Sequence, residues 1–269
     1  MPYFEWDNIR FHYVDEGDGT PFVFQHGLGG DLSQPCGFFS EGHDGVRLIS
    51  MDCRAHGETR PLGPLDKISM AAFADDVVAL LDHLHVEAAV IGGISMGAAM
   101  SLNLALRNPS RVVGLVLQRP AWLDAPLPDH LSSMVYIGQL IRGHGAAKGL
   151  ELFKDSEIYA RLRRESPDVA ASALAQFKHP RAEETVVKLE RIPRDAPCEY
   201  RAWTRLRLPT LVLANRSDPV HPFEYGEILA REIPGAIFRE IAPKSISVDA
   251  HYADVRREIL GFIKTLRDT

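Results

Sequence analysis

Three short runs constrain this chain more than anything else in it. Ala88 to Gly93, Val113 to Leu117 and Thr210 to Ala214 are apolar apart from Thr210, with no polar alternation, and are too short to be ordinary helices. Strands of this kind are buried on both faces, which is the situation of a parallel sheet covered by helices. Phe22 to Gln25, Arg47 to Met51 and Ala236 to Ile241 read as further short strands. Between them, apolar residues recur at helical spacing: Met70, Phe73, Val77, Leu80, Leu81 and Leu84, and near the end Val255, Ile259, Phe262, Ile263 and Leu266. Alternating strands and helices predict right-handed crossovers and a mostly parallel central sheet flanked by helices. The binding site is then expected at the carboxyl ends of the strands.

Two segments depart from that rhythm. Ile9 to Asp15 reads as a strand followed by a Gly17-Asp18-Gly19 turn, so a hairpin is expected at the start. From Trp122 to Trp203 the chain has helical stretches, several prolines, mixed charge and no good buried strand. The expected organisation is an α/β core of residues 1–121 and 204–269 interrupted by a helical cap at 122–203.

Composition removes several function classes. Of the 269 residues, 25% are charged and 45% hydrophobic, as in an ordinary globular protein. The net charge of −6 offers no attraction to nucleic acid or an anionic membrane, so neither is an expected partner. Cys36, Cys53 and Cys198 are odd in number with no CxxC spacing, which suggests neither a disulfide framework nor a zinc site. The start lacks a basic stretch followed by an apolar one, and no apolar run is long enough to span a bilayer. A reduced, cytoplasmic protein is expected, and a homodimer is compatible with the sequence.

Reading the residues just after each strand, the sharpest signal is Gly93-Ile94-Ser95-Met96-Gly97, placed between an apolar strand and the helical run Ala98 to Leu106. A serine at such a strand-to-helix turn exposes its hydroxyl, and small neighbours on either side avoid a clash. The helix start also favours developing negative charge. A nucleophilic serine needs a base and a group to orient it. Asp218 directly follows the Thr210 to Ala214 strand and is the candidate acid; His251, after the last strand, is the candidate base. His221 competes but stands only three residues beyond Asp218, and Asp249 and Asp254 are rival acids. After the second strand, Gln25-His26-Gly27-Leu28-Gly29-Gly30 lets backbone amides approach an oxyanion, so the Leu28 and Met96 amides are the candidate donors. His26, and Asp52 with His56, read as loop scaffolding, since no third ligand stands at metal-like spacing. No metal or cofactor is expected.

With these residues in place the sequence resembles the α/β-hydrolase superfamily over nearly its whole length. The resemblance rests on His26-Gly27, Asp52-x-Arg54-x-His56-Gly57, Gly93-x-Ser95-x-Gly97, Asp218 and His251. Gly-Ile-Ser-Met-Gly, with Asn108-Pro-Ser-Arg-Val-Val-Gly, looks like the 3-oxoadipate enol-lactonase and carboxylesterase branch. One departure is Ala55, where the family usually has glycine. Relatives that open epoxides or cleave carbon–halogen bonds carry Asp where this chain has Ser95. The resemblance implies a serine hydrolase of a small ester or lactone working through an acyl-enzyme, without a cofactor. Two alternatives are a cofactor-free lyase using the same groups as a base, and a ligand-binding pseudoenzyme.

Overall fold

Asp7 and Asn8 both take positive φ, 52° and 58°. A tight two-residue hairpin requires that pair, and short polar side chains tolerate it. In the computed structural model, which describes residues 2–267, they join β1 (Tyr3–Trp6) to β2 (Ile9–Glu16), with Trp6 opposite Ile9. This is the opening hairpin, one strand earlier than the sequence suggested. The hairpin expected around Gly17 and Gly19 does not form, because β4 (Val46–Met51) lies between β2 and β3 (Thr20–Gln25), antiparallel to the first and parallel to the second. The two glycines, at φ 81° and 126°, carry the chain across the foot of β4. A Cβ on Gly19 would lie 2.0 Å from the Gly45 carbonyl oxygen.

The sheet has eight strands in the order β1-β2-β4-β3-β5-β6-β7-β8, where β5 is Ala89–Ile94, β6 Val112–Gln118, β7 Thr210–Ala214 and β8 Ile237–Glu240. From β4 onward all pairings are parallel. Alternation along the strands divides the core in two. Val23, Ile49, Ile91, Leu115 and Val212 face one cluster, which takes in α2 (Met70–His83), α3 (Met96–Arg107) and α8 (Phe223–Glu232) through Phe73, Leu102 and Leu229. Phe22, Leu48, Val90, Val116 and Leu211 face the other, closed by α1 (Ser33–Phe38) and α9 (Val248–Arg267) through Phe38, Ile259 and Phe262.

Between β6 and β7 run α4 (Ser132–Lys154), α5 (Glu157–Glu165), α6 (Pro167–Lys178) and α7 (Val187–Arg191). Gly145, at φ 74° and ψ 163°, breaks α4 into two lengths. Ser156 caps α5 by accepting from the Tyr159 amide, and Pro167 occupies the first turn of α6, where its missing N–H costs nothing. Ile137, Phe153, Phe177 and Leu189 of these helices join the first core cluster. Among the described residues no helix is long and apolar enough to cross a membrane.

Candidate active site

Ser95 follows β5 and precedes α3 at φ 56° and ψ −108°, a conformation that costs a non-glycine residue on the order of 1–3 kcal/mol and persists only where the surroundings impose it. They do so here. The Ser95 amide donates to the Gln118 carbonyl at the end of β6 (2.9 Å), and the Ser95 carbonyl accepts from Ala99 in α3 (3.0 Å). A Cβ on Gly97 would lie 2.4 Å from the Gln25 carbonyl oxygen, and one on Gly93 would lie 2.5 Å from the Gly97 carbonyl carbon. Both glycines are therefore demanded by close backbone approach. Ser95 is 8% exposed and opens on a cavity of about 330 Å³. Leu28, Arg119, Trp122, His221 and Lys244 are among its other walls.

The loop after β3 is held by its own amides and by neighbouring side chains. The Gly27 amide donates to Gln34 Oε1 (2.9 Å), Gly29 to His56 Nε2 (3.1 Å) and Gly30 to the Gly27 carbonyl (3.0 Å). Among the described residues the Leu28 amide makes no such bond, and Met96 N–H belongs to the first turn of α3, where no preceding turn can accept it. His26 donates from Nδ1 to the Gly27 carbonyl (2.9 Å) and accepts at Nε2 from the Cys53 amide (3.1 Å). His56 is bound through Nδ1 to the Arg54 carbonyl (2.9 Å). Burial pushes both histidines below the usual imidazole value, His56 far below. Asp52 accepts from the Leu32 and Glu58 amides and pairs with His12. Arg54 is clamped by Asp76 (2.6 and 2.7 Å) and Asp7 (2.8 Å).

From the inserted helices, Lys188 Nζ donates to the Ala55 carbonyl (3.0 Å) and Thr185 Oγ1 (3.1 Å), while Arg181 Nη1 reaches the Gly57 and Thr59 carbonyls (2.6 and 3.0 Å). Ala55, at φ 61°, sits in the left-handed region that favours glycine.

The acid and base fall differently from expectation. Asp218 does not meet His251. Its Oδ2 accepts from Arg119 Nε (2.9 Å) and Nη2 (2.5 Å), its Oδ1 from the Val220 and His221 amides (both 3.1 Å), and both oxygens lie 3.0 Å from His221 Nδ1. Burial alone would raise this carboxyl, but the charges of His221 and Arg119 hold it well below the usual carboxylate range. His221 is itself pushed below the ordinary imidazole value by burial and by Arg119, against the pull of Asp218.

His251 lies inside the first turn of α9, not on a loop. Ser247 accepts from Ala250 through its hydroxyl and from His251 through its carbonyl (both 3.1 Å), so the helix begins a turn before its apolar stripe. The imidazole is fully buried, with Nδ1 donating to the Ala242 carbonyl (2.7 Å) and Nε2 3.4 Å from Gln118 Nε2, and it is not among the residues lining the cavity. Burial lowers it to about 4. Asp249 is exposed, and Asp254 holds the Ala242 amide (2.9 Å) and Arg257.

The alpha/beta hydrolase fold family matches residues 20–245. The chain belongs to that family. Among fellow α/β hydrolases, the 3-oxoadipate enol-lactonase 2 of Acinetobacter baylyi is 26% identical across 89% of this chain and 86% of its own. A thermophilic esterase from Thermogutta terrifontis superimposes with a TM-score of 0.75 at 25% identity, covering 96% of this chain and 94% of that one. An acetyltransferase component of the acetoin cleaving system of Pseudomonas putida is 34% identical over 157 residues, 56% of this chain, but the match spans only 38% of that longer protein. The matching component from Cupriavidus necator is spanned over 30% of its length.

Within this α/β hydrolase, two wall residues escaped the sequence reading. Arg119 directly follows β6, and Lys244 lies in the loop after β8. Both occupy the strand ends where the fold collects its chemistry, and position was the available signal.

Proposed function

We propose that the protein is a serine hydrolase of a small carboxylic ester or lactone. In this reading Ser95 is the nucleophile, His221 the base, Asp218 the group that orients it, and residues 122–203 the cap over the site. The carrying observation is that His221 lines the same cavity as Ser95 while its Nδ1 faces both oxygens of Asp218 at 3.0 Å. Arg119 Nη2 lies at the same 3.0 Å from Nδ1 but has its shorter bond to Asp218 Oδ2, so in this reading the carboxylate, which can only accept, takes the proton of Nδ1 and leaves the Nε2 lone pair to accept one.

In the acylation step Ser95 Oγ bonds to the substrate carbonyl carbon and its proton passes to His221 Nε2. The carbonyl pair moves onto oxygen, where the Leu28 and Met96 amides receive it. Collapse expels the alcohol, which takes the proton from Nε2. Water repeats the sequence on the acyl-enzyme and releases the acid. The relatives named as lactonase and esterase support this reaction class.

The test is intact-mass analysis after a fluorophosphonate probe, run with short-chain 4-nitrophenyl ester turnover. Wild type should gain a single adduct that Ser95→Ala lacks. His221→Ala should lower kcat by roughly 10²- to 10⁴-fold, whereas His251→Ala should retain turnover in the folded fraction. The reverse ranking of the two histidine variants would return the base role to His251. No adduct on folded wild-type protein would turn attention to the lyase and binding-protein readings.

A further inference from the structure

The polar groups around Ser95 are unevenly matched. Asp218 is saturated by Arg119, His221 and two backbone amides. Arg119 spends Nε and Nη2 on that carboxylate, Nη2 also lying 3.0 Å from His221 Nδ1, and Nη1 makes no hydrogen bond among the described residues. Lys244 reaches the same cavity from the loop after β8, with no hydrogen bond or ion pair among the described residues. Its Nζ lies 5.3 Å from the centroid of the Tyr252 ring. Trp122, 2% exposed, has a buried indole N–H with no acceptor among the described residues. Gln34, also on the wall, has committed its side-chain oxygen to Gly27, which leaves its side-chain N–H groups as donors. Against these donors stands Asp168 on α6, which accepts from Ser166 Oγ (2.5 Å) and makes no ion pair with Lys244 among the described residues. Burial and the charge of Arg119 both disfavour the Lys244 ammonium, which an incoming anion would relieve.

Building on the reading of Ser95 as an acyl-transfer nucleophile, we propose that the cavity selects substrates that carry a carboxylate, received by Lys244 and Arg119. The carboxylate is a spectator group of the ester or lactone and takes no part in bond making. Its two oxygens match one ammonium and the single uncommitted guanidinium nitrogen. The volume of about 330 Å³ suits a small acyl group with one such terminus.

The experiment compares mono-4-nitrophenyl glutarate, which is anionic, with 4-nitrophenyl valerate, which is neutral and of similar length. Wild type should prefer the anionic ester. In Lys244→Met the ratio of the two kcat/KM values should fall roughly 10- to 100-fold, carried mainly by KM. Lys244→Arg should restore most of it. An unchanged ratio in Lys244→Met overturns the proposal. So does a Lys244→Arg variant inactive on both esters, since that would make Lys244 a proton carrier.

A second readout needs no turnover and separates this idea from the hydrolase reading. Glutarate should raise the unfolding midpoint of wild type and do so less in Lys244→Met. If neither ester is hydrolysed but the glutarate shift behaves this way, the anion site stands while the hydrolase reading fails. No glutarate shift in wild type, or a larger one with inorganic phosphate, overturns the carboxylate assignment.

Discussion

Lys188 should contribute a stability that grows with pH, in a window where the buried cysteines, whose thiols burial pushes up, contribute with the opposite sign. The side chain is 3% exposed and held by the Ala55 carbonyl and Thr185 Oγ1, and burial, with Arg181 adding to it, lowers its pKa from 10.5 to about 8. Between pH 8 and 10.5 the unfolded chain keeps this proton while the folded chain has released it. The unfolded state then binds more protons, so the free energy of unfolding increases with pH. At about 1.4 kcal/mol per pH unit, the whole window is worth on the order of 3 kcal/mol. Lys188→Met removes the titration, leaving two buried acceptors short of a donor, and is destabilised at every pH. The informative quantity is the difference between wild type and variant. Urea unfolding at pH 7, 8, 9, 10 and 11 should show the wild-type advantage growing by about 3 kcal/mol, with cysteine and tyrosine titrations cancelling in the subtraction. Parallel pH profiles would refute the argument and mean that Lys188 keeps an ordinary ammonium in the fold.

Asp76→Asn should destabilise the protein by about 3–5 kcal/mol, because it strips the buried Arg54 guanidinium of its bidentate partner; a loss under about 1 kcal/mol in chemical denaturation would mean Asp7 suffices. Ala55→Gly should stabilise by about 0.5–1 kcal/mol by relieving a positive φ, seen as a higher thermal midpoint, and a fall would show that the turn is not strained. If His221 is the base, kcat/KM should decline as pH falls through a value below 6.5, since burial depresses this imidazole and only its neutral form accepts a proton. An acid limb centred above 6.5 would exclude His221 in the free enzyme.

What the sequence made legible follows the range of the forces involved. Ser95 and its glycines were readable because strand, turn and helix all lie within a few residues, and the close approach that requires Gly97 is to Gln25 at the end of the neighbouring strand. His26 and His56 were read as scaffolding for lack of a third ligand, and their ring nitrogens are indeed spent on backbone groups of adjacent loops. The strand order at β2, β4 and β3 was not legible, since Gly17 and Gly19 mark a turn without saying where the chain goes next. The partner of Asp218 was not legible either. Three residues of separation look too few for an acid and its imidazole until the Asp-Pro-Val-His turn is folded, when His221 Nδ1 comes back over the carboxylate. The placement of His251 turned on Ser247, whose cap starts α9 before any apolar periodicity begins.

The stretch from Gln176 to Lys188 of the inserted helices is tied closely to the turns of the core. Arg181 and Lys188 hold the carbonyls of Ala55, Gly57 and Thr59, and Gln176 lies so close over Gly29 that a single added carbon would meet it at 1.9 Å. An opening motion that spares these contacts would displace α5 and the start of α6, which carries Asp168 and Ser172 on the cavity wall. Substrate could then enter and product leave by displacement of that short arm alone. In the proposed mechanism, the loop that carries the Leu28 amide would then remain in register throughout, without having to be rebuilt between turnovers.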